Sequence, residues 1–226
     1  ESNFGISKDD VDLVETWGNA IEGTSDAYNI YLDSLQNKVN RTDPQAIKFI
    51  ERHIDVQEYI NYATTEIYVC NTDWPGNNVK FWRQRSTNGK FRWILWDLDF
   101  GFALYTNQSY ATHPTLSFAT DPDNTDWPNP AWSTLHLRLL LQNPVFRNRF
   151  IQTLTTAMGT TFSANRINEF VTVFQNRIAT EMPFHTVRWN TSMANCNSEV
   201  GRLRDFAAQR NTYMRGHIAD FFGLGD

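Results

Sequence analysis

The 226-residue sequence lacks long apolar runs, clustered basic residues and metal-type cysteine spacing. Its apolar runs are only a few residues long, so we expect no membrane-spanning segment. The net charge is −5 and lysine and arginine are dispersed, which argues against nucleic-acid binding. The two cysteines, Cys70 and Cys196, have no zinc-site spacing, and buried thiols are favoured over a disulfide.

Aromatic residues, in contrast, are abundant. They make up 14% of the chain, and apolar residues as a whole make up 41%, which is enough for a full core. We therefore expect 1–226 to form a single domain. The pentapeptide Asn-Thr-Asp-Trp-Pro occurs twice, at 71–75 and 124–128, but the flanks differ. We interpret this repeat as shared turn chemistry rather than as a duplication.

Helical spacing of apolar residues dominates most of the chain. In the first third, Ser7 is predicted to cap a helix through Val11, Val14, Trp17 and Ile21, and Thr24 to cap a second over 27–35. Further helix starts are predicted at Asp43-Pro44, at Asp55 with Glu58, near Ser133, at Asn143-Pro144, at Ser163 and near Ser198. Residues 102–132 are polar and proline-rich, and we expect a long loop there.

The periodicity changes in the middle of the chain. Residues 79–85 and 90–97 alternate and are rich in Val, Phe, Trp and Ile, and an Asn88-Gly89 step lies between them. This pattern predicts a β-hairpin. The expected fold class is therefore α+β, predominantly α-helical, with a central β-hairpin.

A candidate catalytic constellation surrounds this hairpin. Asp73 and Asn78 lie five residues apart before it, and Asp99-Phe100-Gly101 follows it. Phosphoryl transfer needs a carboxylate that orients the attacking hydroxyl, together with hard oxygen ligands for Mg²⁺. Protein kinases supply these groups from two loops joined by a hairpin, in this order and spacing. Because the two ends of a hairpin lie side by side, we expect Asp73, Asn78 and Asp99 in one neighbourhood.

The residues in 54–56, 71–83 and 91–101 resemble the CotH kinase family, which comprises spore coat protein H-like atypical protein kinases of the secretory type. The resemblance implies a fold like the C-terminal lobe of a protein kinase. It also implies binding of ATP with Mg²⁺, or with Mn²⁺ in its place, and phosphorylation of Ser or Thr on a surface or coat protein. An extracellular or cell-surface location is implied too, although no targeting segment is visible.

The same resemblance assigns roles to individual residues. Asp73 becomes the catalytic carboxylate and Asn78 a metal ligand. One of Asp97 and Asp99 becomes the main metal ligand, and the kinase motif favours Asp99. Being two residues apart, these two carboxylates are expected on the same side of an extended strand.

The chain departs from the family pattern in its nucleotide-binding groups. It has no glycine-rich phosphate loop, and it is expected to begin in helices. None of its lysines is expected in a strand context that suits pairing with ATP phosphates; these are Lys8, Lys38, Lys48, Lys80 and Lys90. We therefore expect a fragment, the C-terminal part of a CotH kinase domain without the nucleotide-clamping lobe.

Other interpretations remain open at this point. Asp73 can be a turn residue whose carboxylate accepts backbone N–H groups before Pro75. Asp97 can be an ion-pair partner of Arg83 or Arg92. The chain as a whole can be a non-catalytic cell-surface or spore-coat adhesion module that reuses the fold. A glycoside hydrolase with Asp73 paired to Asp97 or Asp99 is a third possibility.

Overall fold

A computed structural model describes residues 4–16, 18–102 and 110–225. The strands are β1 (Val11–Glu15), β2 (Asn19–Glu22), β3 (Lys80–Gln84) and β4 (Arg92–Trp93). The α-helices are α1 (Asp26–Asn37), α2 (Ile47–His53), α3 (Val56–Tyr68), α4 (Thr115–Phe118), α5 (Ala131–Leu141), α6 (Pro144–Gly159), α7 (Ala164–Ile178), α8 (Met182–Arg188) and α9 (Met193–Phe222). The mostly helical chain with one small antiparallel sheet confirms the α+β class.

The prediction of a helix near the N-terminus is wrong. Residues 11–22 form β1 and β2, and the predicted position Trp17 lies outside the described residues. Gly18, in the connection between them, has a φ of 90°, which is incompatible with a continuous helix. β1 pairs with the distant segment 80–84 as well as with β2, and local apolar spacing carries no information about such a distant partner.

The sheet has the order β2-β1-β3-β4. β1 runs antiparallel to β3, with Val11 opposite Gln84 and Glu15 opposite Lys80. β3 pairs with β4, so the predicted central hairpin is confirmed. Its second arm is shorter than the predicted 90–97, because only Arg92 and Trp93 belong to β4.

Several predicted helix starts are confirmed by capping hydrogen bonds. The Asp55 carboxylate accepts from the Glu58 N–H at the start of α3, and Ser163 caps α7 in the same way. Asn143 caps α6 immediately before Pro144. α1, in contrast, has Ser25 rather than Thr24 at its N-cap position.

The predicted loop over 102–132 is wrong in part. A short 3-10 helix (Tyr110–Thr112) and α4 lie within it, and α5 begins at its end. Short polar helices of this kind have too few turns to produce a recognisable apolar period. No helix start is predicted for α8 either, although Pro183 lies in its first turn, where proline is tolerated.

The core is one continuous cluster of buried residues that extends along the chain from Val14 to Ile218. Arg210 of α9 is fully buried and donates to the carbonyls of Ile67 and Tyr68, at the C-terminal end of α3. It also donates to the Ala111 carbonyl. The bonds to Ile67 and Tyr68 hold the C-terminal end of α3, next to the loop that carries Asp73. Within the described residues, no helix has the length and apolar character needed to cross a membrane.

Candidate active site

The loop after α3 carries the first candidate residue, Asp73. Only 4% of Asp73 is exposed. Its Oδ2 accepts from the side-chain amides of Asn78 at 2.7 Å and Asn77 at 3.0 Å. Its Oδ1 is buried and has no hydrogen-bond partner. The carboxylate thus contacts side-chain amides rather than the backbone N–H groups that a simple turn residue would bind.

The electrostatics of Asp73 reflect this burial. Loss of solvation raises the pKa of its carboxyl above the ordinary value, and the nearby charges of Asp97 and Asp99 raise the pKa further. The hydrogen bonds from Asn77 and Asn78 oppose the rise. The structure therefore brings both later aspartates within electrostatic reach of Asp73, as the hairpin argument predicted.

Asn78 connects Asp73 to the hairpin. It is 9% exposed and adopts a left-handed backbone with a φ of 56°, two residues before β3 begins. The hairpin pairing continues past β4, because the Ile94 N–H donates to the Lys80 carbonyl at 2.8 Å. Next to it, the Lys80 ammonium lies 4.1 Å from the centre of the Trp96 ring. The two ends of the hairpin are thus side by side.

Asp97 and Asp99 are not on an extended strand, so that prediction is wrong. Asp97 has a φ of 55°, and both residues follow the end of β4. A turn places Asp99, because the Gly101 N–H donates to the Leu98 carbonyl. The Phe102 N–H then donates to the Val69 carbonyl at 2.7 Å. This bond ties the segment after Asp99 to the end of α3.

The alternative that pairs Asp97 with an arginine is also wrong. Arg83 donates to the buried Asp12 at 2.9 Å, and Arg92 donates to Asp55 at 3.1 Å. None of the ion pairs found in the described part of the chain involves Asp97, and Asp99 likewise has none there. Both residues are exposed.

The expectation that no lysine suits pairing with ATP phosphates stays a prediction, but Lys80 does lie on a strand. Lys80 is the first residue of β3, and its ammonium lies 3.9 Å from the Glu15 carboxylate on β1. It is also two residues from Asn78, and it rests on Trp96, the residue before Asp97. A lysine in a strand context therefore lies beside the candidate metal ligands.

The family model for CotH kinase protein matches residues 6–214. The chain belongs to the CotH kinase family. No curated protein and no solved structure matches it. The family suggests a kinase-like function that uses ATP and a divalent metal ion.

Sequence reasoning missed two buried polar residues beside the candidate site around Asp73. Glu66 and Asn71 are both fully buried, and the Asn71 amide donates to Glu66 Oε2 at 2.9 Å. Burial raises the pKa of Glu66 to about 8, against the effect of this hydrogen bond, and the Asp73 charge adds to the rise. The available signal was a glutamate within the apolar face of α3, between Ala63 and Ile67.

The repeated pentapeptide has the same local structure in both copies. Asn71 accepts from the Asp73 N–H, as Asn124 does from the Asp126 N–H, and both Trp-Pro bonds are cis. The copies touch, because the Gly76 N–H donates to the Pro128 carbonyl. A Cβ at Gly76 would collide with that carbonyl, so the contact requires glycine. The two copies therefore share an Asn-to-Asp turn bond and a cis Trp-Pro bond.

The side-chain oxygen donors at the candidate site around Asp73 fit a metal that also binds nucleotide phosphates. Among the described residues, no three Asp, Glu, His or Cys side chains converge on one metal position. Mg²⁺, however, is usually bound by only one or two carboxylates, with water and phosphate oxygens completing its coordination. Asn78 and Asp99, with Asp97 two residues before Asp99, offer oxygen donors of that kind.

Proposed function

We propose that this chain carries the catalytic and metal-binding residues of a protein kinase that transfers the ATP γ-phosphate to Ser or Thr. The observation that carries the proposal is the environment of Asp73. Its carboxylate is held at one oxygen by Asn77 and Asn78, has its other oxygen unpaired, and lies within electrostatic reach of Asp99. Membership of the CotH kinase family supports the same activity.

Asp73 is the group that orients the acceptor hydroxyl and takes its proton. Its two amide partners fix one carboxylate oxygen, and the other oxygen is buried without a hydrogen-bond partner. Burial raises the pKa of Asp73, which makes it a stronger base than an ordinary aspartate once it is ionised. Catalysis in this class of reaction otherwise rests on positioning and charge stabilisation.

Asn78 and Asp99 are the proposed metal ligands, with Asp97 as a second carboxylate. These residues would hold Mg²⁺, or Mn²⁺ in its place, which would supply neutralisation of the phosphate charge. Asn78 shares its side chain between the two roles, because its amide nitrogen donates to Asp73 while its amide oxygen remains available to a cation. A cation bound by the Asn78 amide oxygen would therefore have a fixed position relative to Asp73.

Lys80 is the proposed phosphate-binding cation. Glu15 and the Trp96 ring hold its ammonium beside the hairpin, close in sequence to both Asn78 and Asp97. An ammonium is a compact point charge that binds phosphate oxygens well. This residue supplies a group that the sequence pattern alone led us to consider missing.

A protein substrate and an extracellular or surface location complete the proposal. Both follow from the family, which is named for a spore-coat protein. The acceptor would be a Ser or Thr of a surface or coat protein.

Nucleotide binding by the full-length protein tests the proposal. We expect ATP binding that requires Mg²⁺ or Mn²⁺ and is abolished by Asp99→Ala. Asp33→Ala is the matched control, since Asp33 is an exposed aspartate on α1 that pairs with Lys38. A full-length protein that binds no nucleotide with either metal would contradict the kinase proposal and favour a non-catalytic surface module.

A further inference from the structure

Glu66 is a buried carboxyl that the proposed reaction does not use directly. It lies in the last turn of α3 and has no exposed surface. Oε2 accepts from the Asn71 amide at 2.9 Å, while Oε1 is buried without a hydrogen-bond partner. Burying a carboxyl with one oxygen unpaired is costly to a fold. The contact to Asn71 therefore calls for an explanation beyond packing.

Asn71 links this carboxyl to Asp73. Its amide nitrogen donates to Glu66, and its amide oxygen accepts from the Asp73 N–H at 3.1 Å. If the amide were reversed, its nitrogen would face the Asp73 N–H, and its oxygen would face the Glu66 oxygen. An acceptor at position 66 therefore determines which end of the Asn71 amide faces Asp73.

We propose that Glu66 is a positioning residue that orients Asn71 and, through Asn71, fixes the backbone of the candidate catalytic Asp73. The charged or titratable groups that act on it are Asp73 in the following loop and Tyr62 one turn earlier on α3. The effect on phosphotransfer rests on the proposed function, whereas the orientation of Asn71 and of the Asp73 backbone by Glu66 does not depend on it.

Glu58 provides a matched control on the same helix. It is partly buried, whereas Glu66 is fully buried, and its carboxylate likewise accepts one hydrogen bond, in this case from the Trp93 backbone N–H at 3.0 Å. Burial raises the pKa of Glu58 to about 7, as it raises that of Glu66. Its contact supports β4 and does not involve Asn71 or Asp73.

The test compares Glu66→Leu and Glu66→Gln with the same two substitutions at Glu58. Hydrogen exchange of the Asp73 amide, followed by NMR, reports the Asn71–Asp73 bond without requiring enzyme activity. We expect exchange to become about tenfold faster in Glu66→Leu, as loss of one hydrogen bond predicts. Glu66→Gln retains an acceptor, so its exchange should stay near that of the wild type, and both Glu58 variants should leave the Asp73 amide unchanged.

Activity of the full-length protein supplies the second readout. In Glu66→Leu, kcat should fall while the KM for ATP is retained, and Glu66→Gln should restore kcat. Unchanged Asp73 exchange in Glu66→Leu overturns the proposal. If Glu66→Leu does not fold, Glu66→Asp replaces it, because the shorter carboxylate withdraws from Asn71 and the same loss is expected.

The two readouts separate the inference from the kinase proposal. A wild-type protein without phosphotransfer whose Asp73 exchange still responds to Glu66→Leu supports the positioning role and counts against the kinase. If the wild type transfers phosphate but neither the exchange of the Asp73 amide nor kcat responds to Glu66→Leu, the kinase proposal is supported and the positioning role of Glu66 is contradicted.

Discussion

Asn78 donates its side-chain amide to Asp73 Oδ2 at 2.7 Å from a backbone in the left-handed region, with a φ of 56°. Left-handed backbone is unfavourable for residues with a Cβ, although asparagine tolerates it better than most. The conformation turns the chain from the loop of Asp73 into β3 and aims the amide back at the carboxylate. One residue therefore joins the candidate base to the hairpin.

Asn78→Gly and Asn78→Ala should separate these two contributions. Both remove the amide, so in both we expect a higher Mg²⁺ requirement for nucleotide binding by the full-length protein. Left-handed backbone is strained for alanine but not for glycine. The free energy of unfolding of Asn78→Ala should therefore be lower than that of Asn78→Gly by about 1 kcal/mol. Urea unfolding measures the second effect. Wild-type Mg²⁺ dependence in both variants would remove Asn78 from the metal site.

Lys80→Met should weaken binding of ATP to the full-length protein by about tenfold or more, the scale of one charge-assisted hydrogen bond. Binding of adenosine, which has no phosphates, should not change. Glu15→Gln is the control, because it removes the ion pair and keeps the ammonium. Calorimetry with both ligands makes the comparison. An equal loss for ATP and adenosine would indicate a structural role for Lys80 instead.

Stability should fall with rising pH because of Glu66. Its pKa of about 8 in the folded state exceeds the ordinary glutamate value, so the folded protein retains a proton that the unfolded chain releases. This contribution is fully present below the ordinary pKa and is lost as pH rises through about 8. Compared with Glu66→Gln, the wild type should lose up to about 1.4 kcal/mol per pH unit in that range.

Denaturant unfolding of both proteins between neutral pH and pH 8 measures this difference. Burial lowers the pKa of His136 to about 3 and that of His113 to about 4, so neither gains a proton in the folded state in this window. The effect of Glu58 is common to both proteins and cancels. Parallel pH curves would show that Glu66 is already ionised at neutral pH.

The predictable parts of this molecule depend on local signals. The Asn88-Gly89 step and the flanking alternation predicted the hairpin, and Asp55 and Ser163 predicted helix starts through their own capping bonds. The N-terminal strands were missed because β1, which pairs with β2, also pairs with β3 more than sixty residues away. Local spacing cannot reveal a pairing at that distance.

The candidate site shows the same limit. The order of Asp73, Asn78 and Asp99 around a hairpin was sufficient to predict their proximity, because hairpin geometry is local. The backbone of Asp97 was not predictable, since its left-handed conformation depends on tertiary contacts of the turn that follows. The roles of Glu66 and Asn71 depend on burial, which the sequence indicates only through the apolar neighbours of Glu66.

Mg²⁺-dependent transfer of labelled γ-phosphate from ATP to a Ser/Thr peptide library tests the central claim most directly. The full-length wild type should be compared with Asp73→Asn and with Asp33→Asn, the exposed aspartate of α1. Removing a general base typically lowers a rate by about 10²–10⁴-fold, so we expect a loss of that size in Asp73→Asn and wild-type transfer in Asp33→Asn. Transfer at the wild-type rate by Asp73→Asn would contradict the account.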